Sequence, residues 1–176
     1  MTDPGNLLVV DDMPDNLRLL SALLAQRGYK VRKALNGKIA LATAQRVPPD
    51  LILLDINMPG ANGYEVCQQL KAHPKTQEIP VIFISALDDV FDKVKAFQVG
   101  GVDYIAKPFH EEEAIARIEH QLTIRRQQQE LQEKNEQLQQ EIKERCKAED
   151  ALRVYLHAVS HDLRNPVIAM SMVLKG

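Results

Sequence analysis

From Phe109 to Asn165 the chain runs 57 residues without a glycine or a proline. Those two residues punctuate chains: glycine supplies the backbone freedom of turns, and proline removes a helix hydrogen bond. A stretch this long without either predicts one long helix. The preceding region has the opposite texture. Of nine prolines in 176 residues, eight lie at or before Pro108, and seven of eight glycines lie at or before Gly101. Seven of the eight aromatic residues also fall by Phe109. The first part is therefore a compact fold with many connections, and the second is an extended helical element.

Within the first 110 residues, short apolar runs recur at Leu7–Val10, Lys30–Leu35, Leu51–Leu54, Val81–Ile84 and Tyr104–Ala106. Amphipathic stretches separate them: Asn16–Arg27, Gly37–Arg46, Gly63–Ala72 and Val90–Val99, with Glu111–Leu122 after the last run. Leu17, Leu20, Leu23 and Leu24 share one face at helical spacing, and Gly28 stops that helix. Continuous apolar strands alternating with helices indicate a parallel sheet covered on both faces. Five of each in about 120 residues predict an α/β fold with a doubly wound five-stranded parallel sheet, flavodoxin-like, in the order 2-1-3-4-5, followed by a long α-helical coiled coil.

Such a sheet binds ligands beyond the carboxyl ends of its strands. Asp11 and Asp12 end the first strand, Asp55 the third and Ser85 the fourth; Lys107 and Pro108 follow the fifth. Crowded carboxylates repel one another unless a cation sits among them. Oxygen donors of this kind suit Mg²⁺. A carboxylate can itself become an aspartyl-phosphate, and phosphoryl transfer needs mainly positioning and charge neutralisation, which Lys107 and the Ser85 hydroxyl can supply.

The ordered set Val10-Asp11-Asp12, Asp55-Ile56-Asn57-Met58-Pro59-Gly60, Ile84-Ser85-Ala86 and Tyr104-Ile105-Ala106-Lys107-Pro108-Phe109 resembles the receiver domain of two-component response regulators. The resemblance covers residues 6 to about 122. It implies that Asp55 accepts phosphate, that Asp12 and Asp55 bind Mg²⁺ directly, Asp11 through water and Asn57 through its backbone carbonyl. It further implies that Ser85 hydrogen-bonds a phosphate oxygen, that Lys107 pairs with the phosphate, that Tyr104 is the switch aromatic, and that the Lys107–Pro108 bond is cis. Cys67, beside Val66 and Leu70, reads as helix packing.

In the long helix a seven-residue rule places Ile124, Leu131, Leu138, Leu152 and Val159 at position d, with Arg145 as the exception. Position a holds Gln128, Asn135, Ile142, Glu149, Leu156 and Leu163. This predicts a parallel two-stranded coiled coil, loose around Arg145 and Glu149. A helix this polar would be marginal without a partner. Near its end His161 falls at position f, facing solvent, with Asp162 beside it as a proton acceptor. The run Ser160-His161-Asp162-Leu163-Arg164-Asn165-Pro166 resembles the H-box of histidine kinases. That resemblance makes His161 a phosphoacceptor, Asp162 its acid/base and Asn165 a residue that orients water. Pro166 should kink the helix, and His157 reads as an ordinary surface histidine.

These readings divide the chain into a receiver domain at 1–122, a coiled-coil signalling helix at 123–150 and the incomplete start of a dimerisation and histidine-phosphotransfer domain at 151–176. No glycine-rich phosphate loop occurs, so a histidine kinase of this plan needs an ATP-binding domain further along. The expected partners are a second copy of the chain and an upstream histidine kinase or phosphotransfer protein. A scaffold without catalysis and an Asp–His relay shuttle are the alternatives. A continuous helix over the 51 residues from His110 to His161 would span roughly 75 Å, against about 30 Å for the domain, which disfavours the relay. Residues 1–110 carry 12 basic and 12 acidic groups and residues 111–176 carry 10 and 12, which gives no basic face for nucleic acid. No apolar run spans a bilayer and the N-terminus lacks a signal-peptide pattern, so a cytoplasmic location is expected. Cys67 and Cys146 lie too far apart in sequence for a metal or redox motif.

Overall fold

The structure is a computed structural model that describes residues 5–60, 62–86, 90–108 and 110–173, the side chains of 90–92 and 165–173 excepted. Phe109 lies outside the described residues, as does the side chain of Asn165. Five strands alternate with five helices: β1 (Asn6–Val10), α1 (Pro14–Gln26), β2 (Lys30–Ala34), α2 (Gly37–Arg46), β3 (Leu51–Asp55), α3 (Gly63–Ala72), β4 (Val81–Ser85), α4 (Val90–Gln98), β5 (Asp103–Ala106) and α5 (Glu111–Val173). All pairings are parallel, in the order β2-β1-β3-β4-β5. The flavodoxin-like sheet expected from the sequence is the observed one. Element ends agree with expectation to within two residues except at α5, whose helix continues through Pro166 to Val173. At α1 the first turn begins at Pro14, whose fixed φ suits a position where no N–H is needed.

The strands read as unbroken apolar runs because both faces are covered. Along β1, Leu7 and Val9 point to one layer, and Leu8 and Val10 to the other. The same alternation places Leu51, Leu53, Ile82, Ile84 and Ile105 with Leu17, Leu20 and Leu24 of α1 and Ala114, Ile115, Ile118 and Leu122 of α5. The opposite layer joins Ile52, Leu54, Val81 and Phe83 to Ala40 and Ala44 of α2, Val66, Cys67 and Leu70 of α3 and Ala96 of α4. Each fully buried Leu, Ile or Phe contributes roughly 1.5–3 kcal/mol, so the two layers dominate the stability of the sheet domain. Gly28, at φ +90°, turns the chain from α1 into β2, a conformation that a side chain would strain.

The chain divides into two units, Met1–Arg126 and Gln127–Gly176. In the first, α5 packs through Leu122, and Arg125 donates to the carbonyls of Pro49, at 2.9 Å, and of Asp50. Ile124, the first residue of the predicted seam, is half-buried there. In the second unit every described side chain through Arg164 is exposed. Leu131, Leu138, Ile142, Leu152, Leu156 and Leu163 thus form an uncovered apolar series at the predicted seam positions, consistent with a coiled coil. No described helix is long and apolar enough to cross a membrane.

Candidate functional site

Parallel strands deliver their last residues to one edge. At that edge β1 runs into Asp11 and Asp12 and β3 ends in Asp55. Carboxylate oxygens of these three residues all lie within 4.8 Å of one another. Asp11 and Asp55 are buried at 2% and 5% exposure, and Asp12 is half-buried. Repulsion among them is relieved from β5: the Lys107 ammonium lies 2.9 Å from Asp11 Oδ2 and 3.3 Å from Asp55 Oδ2. The Lys107–Pro108 peptide is cis, as expected. The Lys107 N–H donates to the Ser85 carbonyl at 2.7 Å, which ties the end of β4 to the lysine.

The electrostatics follow from burial. Desolvation pushes the Asp55 carboxyl above its ordinary range; the charge of Lys107 opposes this, Asp11 adds to it, and bonds from Lys107 and the Asn57 backbone N–H oppose it. For Lys107, burial works against the ammonium. The bond to Asp11 and the charges of Asp55 and Asp11 more than offset that, and its pKa is raised. The site therefore holds a carboxylate that is costly to keep charged beside an ammonium that is firmly charged.

Two residues that sequence reasoning did not single out shape this edge. The Asn16 amide donates to both oxygens of Asp11, at 3.2 and 3.0 Å, and the Met13 N–H adds a third bond at 2.8 Å. Asp11 thus accepts four hydrogen bonds from three donor groups, Lys107 included. Gly63 begins α3 hard against the backbone that carries Asp55: a Cβ there would lie 2.3 Å from the Asp55 backbone carbonyl oxygen and 2.8 Å from Ile56 Cα. No side chain fits, and the Gly63 N–H donates to the Ile56 carbonyl at 2.9 Å. The only sequence signal for either residue was its place at the start of an amphipathic stretch, which does not point to Asp11 or Asp55 as the partner.

Of the remaining predicted residues, Ser85 is fully buried at the end of β4. Tyr104 is 7% exposed, and its hydroxyl donates to the Ser85 carbonyl at 3.4 Å. Asn57 is exposed in the loop after β3. The donor set, all carboxylate and carbonyl oxygen, fits a hard dication such as Mg²⁺. Cys67 is buried with its thiol pushed up to about 11 by desolvation, so it packs and does not react. In the second unit, His161 Nδ1 lies 3.8 Å from Asp162 Oδ1, with both side chains exposed.

The family model described as response regulator receiver domain matches residues 7–119. PleD, a response regulator of Caulobacter vibrioides, is 44% identical over 114 residues, covering 65% of this chain and 25% of its own length. A Vibrio cholerae protein described as a probable cyclic di-GMP phosphodiesterase is 37% identical over 163 residues, covering 91% of this chain and 37% of its own. The chain thus spans a quarter to somewhat over a third of the length of these relatives. Among solved structures, the signal receiver domain of a signal transduction histidine kinase from Syntrophus aciditrophicus aligns with TM-score 0.63 at 33% identity, over 68% of this chain and 90% of that one. Strand order, the carboxylate edge and these matches agree, and the chain belongs to the response regulator receiver domain family, a component of two-component signal transduction.

Proposed function

We propose that Asp55 is the phosphoacceptor of this receiver and that its phosphorylation regulates a dimeric histidine-kinase phosphoacceptor region carrying His161. The observation that carries the first half is the Lys107 ammonium bridging Asp11 and Asp55 inside a buried carboxylate cluster. Asp11, Asp12, Asp55 and the Asn57 carbonyl would hold Mg²⁺, which supplies neutralisation of the carboxylates and of the incoming phosphoryl oxygens. A carboxylate oxygen of Asp55 attacks phosphorus, and the P–N bond of a donor phosphohistidine breaks with its electron pair leaving on the imidazole. Lys107 then pairs with the phosphoryl group and the Ser85 hydroxyl donates to it. Tyr104 is the aromatic that would report this engagement, through its contact with Ser85.

For the rest of the chain the reading keeps the division 1–122, 123–150 and 151–176. The uncovered series from Leu131 to Leu163 supports a parallel homodimer. His161 would take phosphate from an ATP-binding kinase domain further along the full-length chain, with Asp162 as acid/base and Asn165 orienting water. The receiver takes phosphate from a separate kinase or phosphotransfer protein and acts on His161 through the loosely packed seam at Arg145 and Glu149. Acetyl phosphate with Mg²⁺ tests the first half: a hydroxylamine-sensitive acyl phosphate should form on the wild type and not on Asp55→Asn. Labelling in trans by a histidine-kinase catalytic domain with ATP tests the second: phosphate should appear at His161 and be lost in His161→Gln.

A second reading is favoured by one observation. The Vibrio cholerae relative matches 91% of this chain, so its similarity extends well past the receiver into the helix. A receiver and helix of this kind could serve a different output domain. Absence of label at His161 in the trans experiment would favour that reading.

A further inference from the structure

The H-box reading uses one of two histidines on the same helical face. His157 and His161 are four residues apart within α5, which is helical across both positions. One turn of helix stacks such side chains, with roughly 5–6 Å between their Cβ atoms. Both rings are exposed, His161 at 69%. In the heptad frame they occupy positions b and f, opposite the apolar seam of Leu156, Val159 and Leu163, so pairing of that seam would leave them in water. Asp162 Oδ1 stands 3.8 Å from His161 Nδ1. At that distance the carboxylate makes no hydrogen bond to the ring, and its negative charge favours a cation held at the imidazole. Arg153, one turn before His157, is engaged with Asp150 at 3.3 Å.

Two imidazoles one turn apart on a helix present two nitrogen donors to one ion at ordinary bond lengths of about 2.0–2.1 Å. Nitrogen donors of this type select Zn²⁺ and its transition-metal neighbours over Mg²⁺, which the carboxylate cluster suits. Among the described residues the only group of three or more His, Cys, Asp or Glu donors is Asp11, Asp12 and Asp55. Any ion at the histidines therefore keeps water in its other positions. We propose that His157 and His161 form a two-histidine chelate for Zn²⁺, and that the bound ion withholds His161 from phosphorylation. The second clause rests on His161 being a phosphoacceptor: a nitrogen whose lone pair is bound to zinc cannot attack phosphorus. The chelate itself does not rest on that reading.

The test uses the full chain with Mg²⁺ in excess, so that the carboxylate cluster does not compete for zinc. Zn²⁺ alone is titrated while the imidazole ¹⁵N resonances are followed by NMR. The rings of His157 and His161 should shift together, with one ion per chain. His157→Ala should weaken binding about tenfold or more, because the second donor acts at high effective concentration. His120→Ala, elsewhere on α5, should titrate as the wild type does. His157 and His161 resonances that stay unmoved in excess Zn²⁺, or a His157→Ala chain that binds like the wild type, would overturn the chelate. In a second arm, a kinase catalytic domain with ATP labels His161 at increasing Zn²⁺, each chain scaled to its own zinc-free rate. Half-inhibition should need about tenfold more zinc in His157→Ala than in the wild type; equal inhibition would overturn the regulatory clause. No label on the zinc-free wild type would instead overturn the phosphoacceptor reading, and the NMR arm would still decide the chelate.

Discussion

The same apolar residue types do opposite things in the two units of this chain. In the sheet domain Leu7, Leu53, Phe83 and Ile118 are fully buried between layers of the same chain. In the helical unit Leu131, Leu138, Ile142 and Leu163 stand 58–67% exposed at a seven-residue spacing. The first set stabilises a fold, and the second is left uncovered among the described residues. The difference is topological. A sheet residue meets covering helices supplied by the same unit, whereas the helical unit supplies no second layer for its own apolar series among the described residues. It also separates the chemistry: the carboxylates are sequestered and electrostatically strained, and His161 is held in the open.

The largest expected effect lies at the sequestered end. Asp55→Asn keeps the shape of the side chain and removes the carboxylate proposed as the nucleophile. Acyl-phosphate formation from acetyl phosphate should fall by at least about 100-fold. Residual labelling near the wild-type rate would move the phosphoacceptor elsewhere. Truncating apolar residues tests the contrast itself. Phe83→Ala should cost the sheet domain roughly 3–5 kcal/mol in denaturant unfolding. Leu138→Ala should leave that transition unchanged while lowering the concentration-dependent mass seen by sedimentation. A loss of sheet stability in Leu138→Ala would mean that the two units are not energetically distinct. Cysteines placed at Asn135, with Cys67 and Cys146 replaced, should cross-link like to like in a parallel pair.

Burial of Asp55 makes a further prediction, with a definite sign. Its pKa in the fold is raised, so folding binds protons just above the unfolded carboxylate range of about 4. The charged form is therefore disfavoured in the fold throughout neutral pH. Without Mg²⁺, Asp55→Asn should raise the thermal midpoint at pH 7 by a few degrees, and the gain should fade as the pH falls toward 4. Adding Mg²⁺ should narrow the gap by stabilising the wild type more. A variant less stable than the wild type at pH 7 would mean that the bond to Lys107 outweighs the burial cost.

The legibility of the two units differs for the same physical reason. Strand order, both core layers and the meeting of Asp11, Asp12, Asp55 and Lys107 followed from apolar runs, their boundaries and the rule that parallel sheets act at their carboxyl ends. Contacts made by side chains that cross elements left no local trace. Arg125 reaches carbonyls about 75 residues away in sequence, at Pro49 and Asp50, which carries the packed part of α5 beyond Leu122. Asn16 grips Asp11 across the start of α1, where local capping preferences point to neither residue as the partner. The helical unit, whose described side chains through Arg164 are all exposed, was legible as a helix and as a periodic stripe.

The smallest expected effect sharpens the claim that the sheet domain is close-packed. Ser21 lies on α1 among Leu17, Leu20 and Leu24, 6% exposed, and its hydroxyl has no hydrogen-bond partner among the described residues. A buried hydroxyl without a partner loses its hydration and recovers nothing, at a cost of about 1–3 kcal/mol. Ser21→Ala removes that oxygen, leaves a space smaller than a methyl group and improves helix propensity by several tenths of a kcal/mol. It should stabilise the sheet domain by about 1 kcal/mol, or roughly 4 °C in thermal midpoint. Ser21→Thr keeps the hydroxyl and adds a methyl group to a filled layer, and should give no gain. If Ser21→Ala instead lowers the midpoint, the hydroxyl is satisfied in solution by water, and this layer is more open than the helical packing against β1 implies.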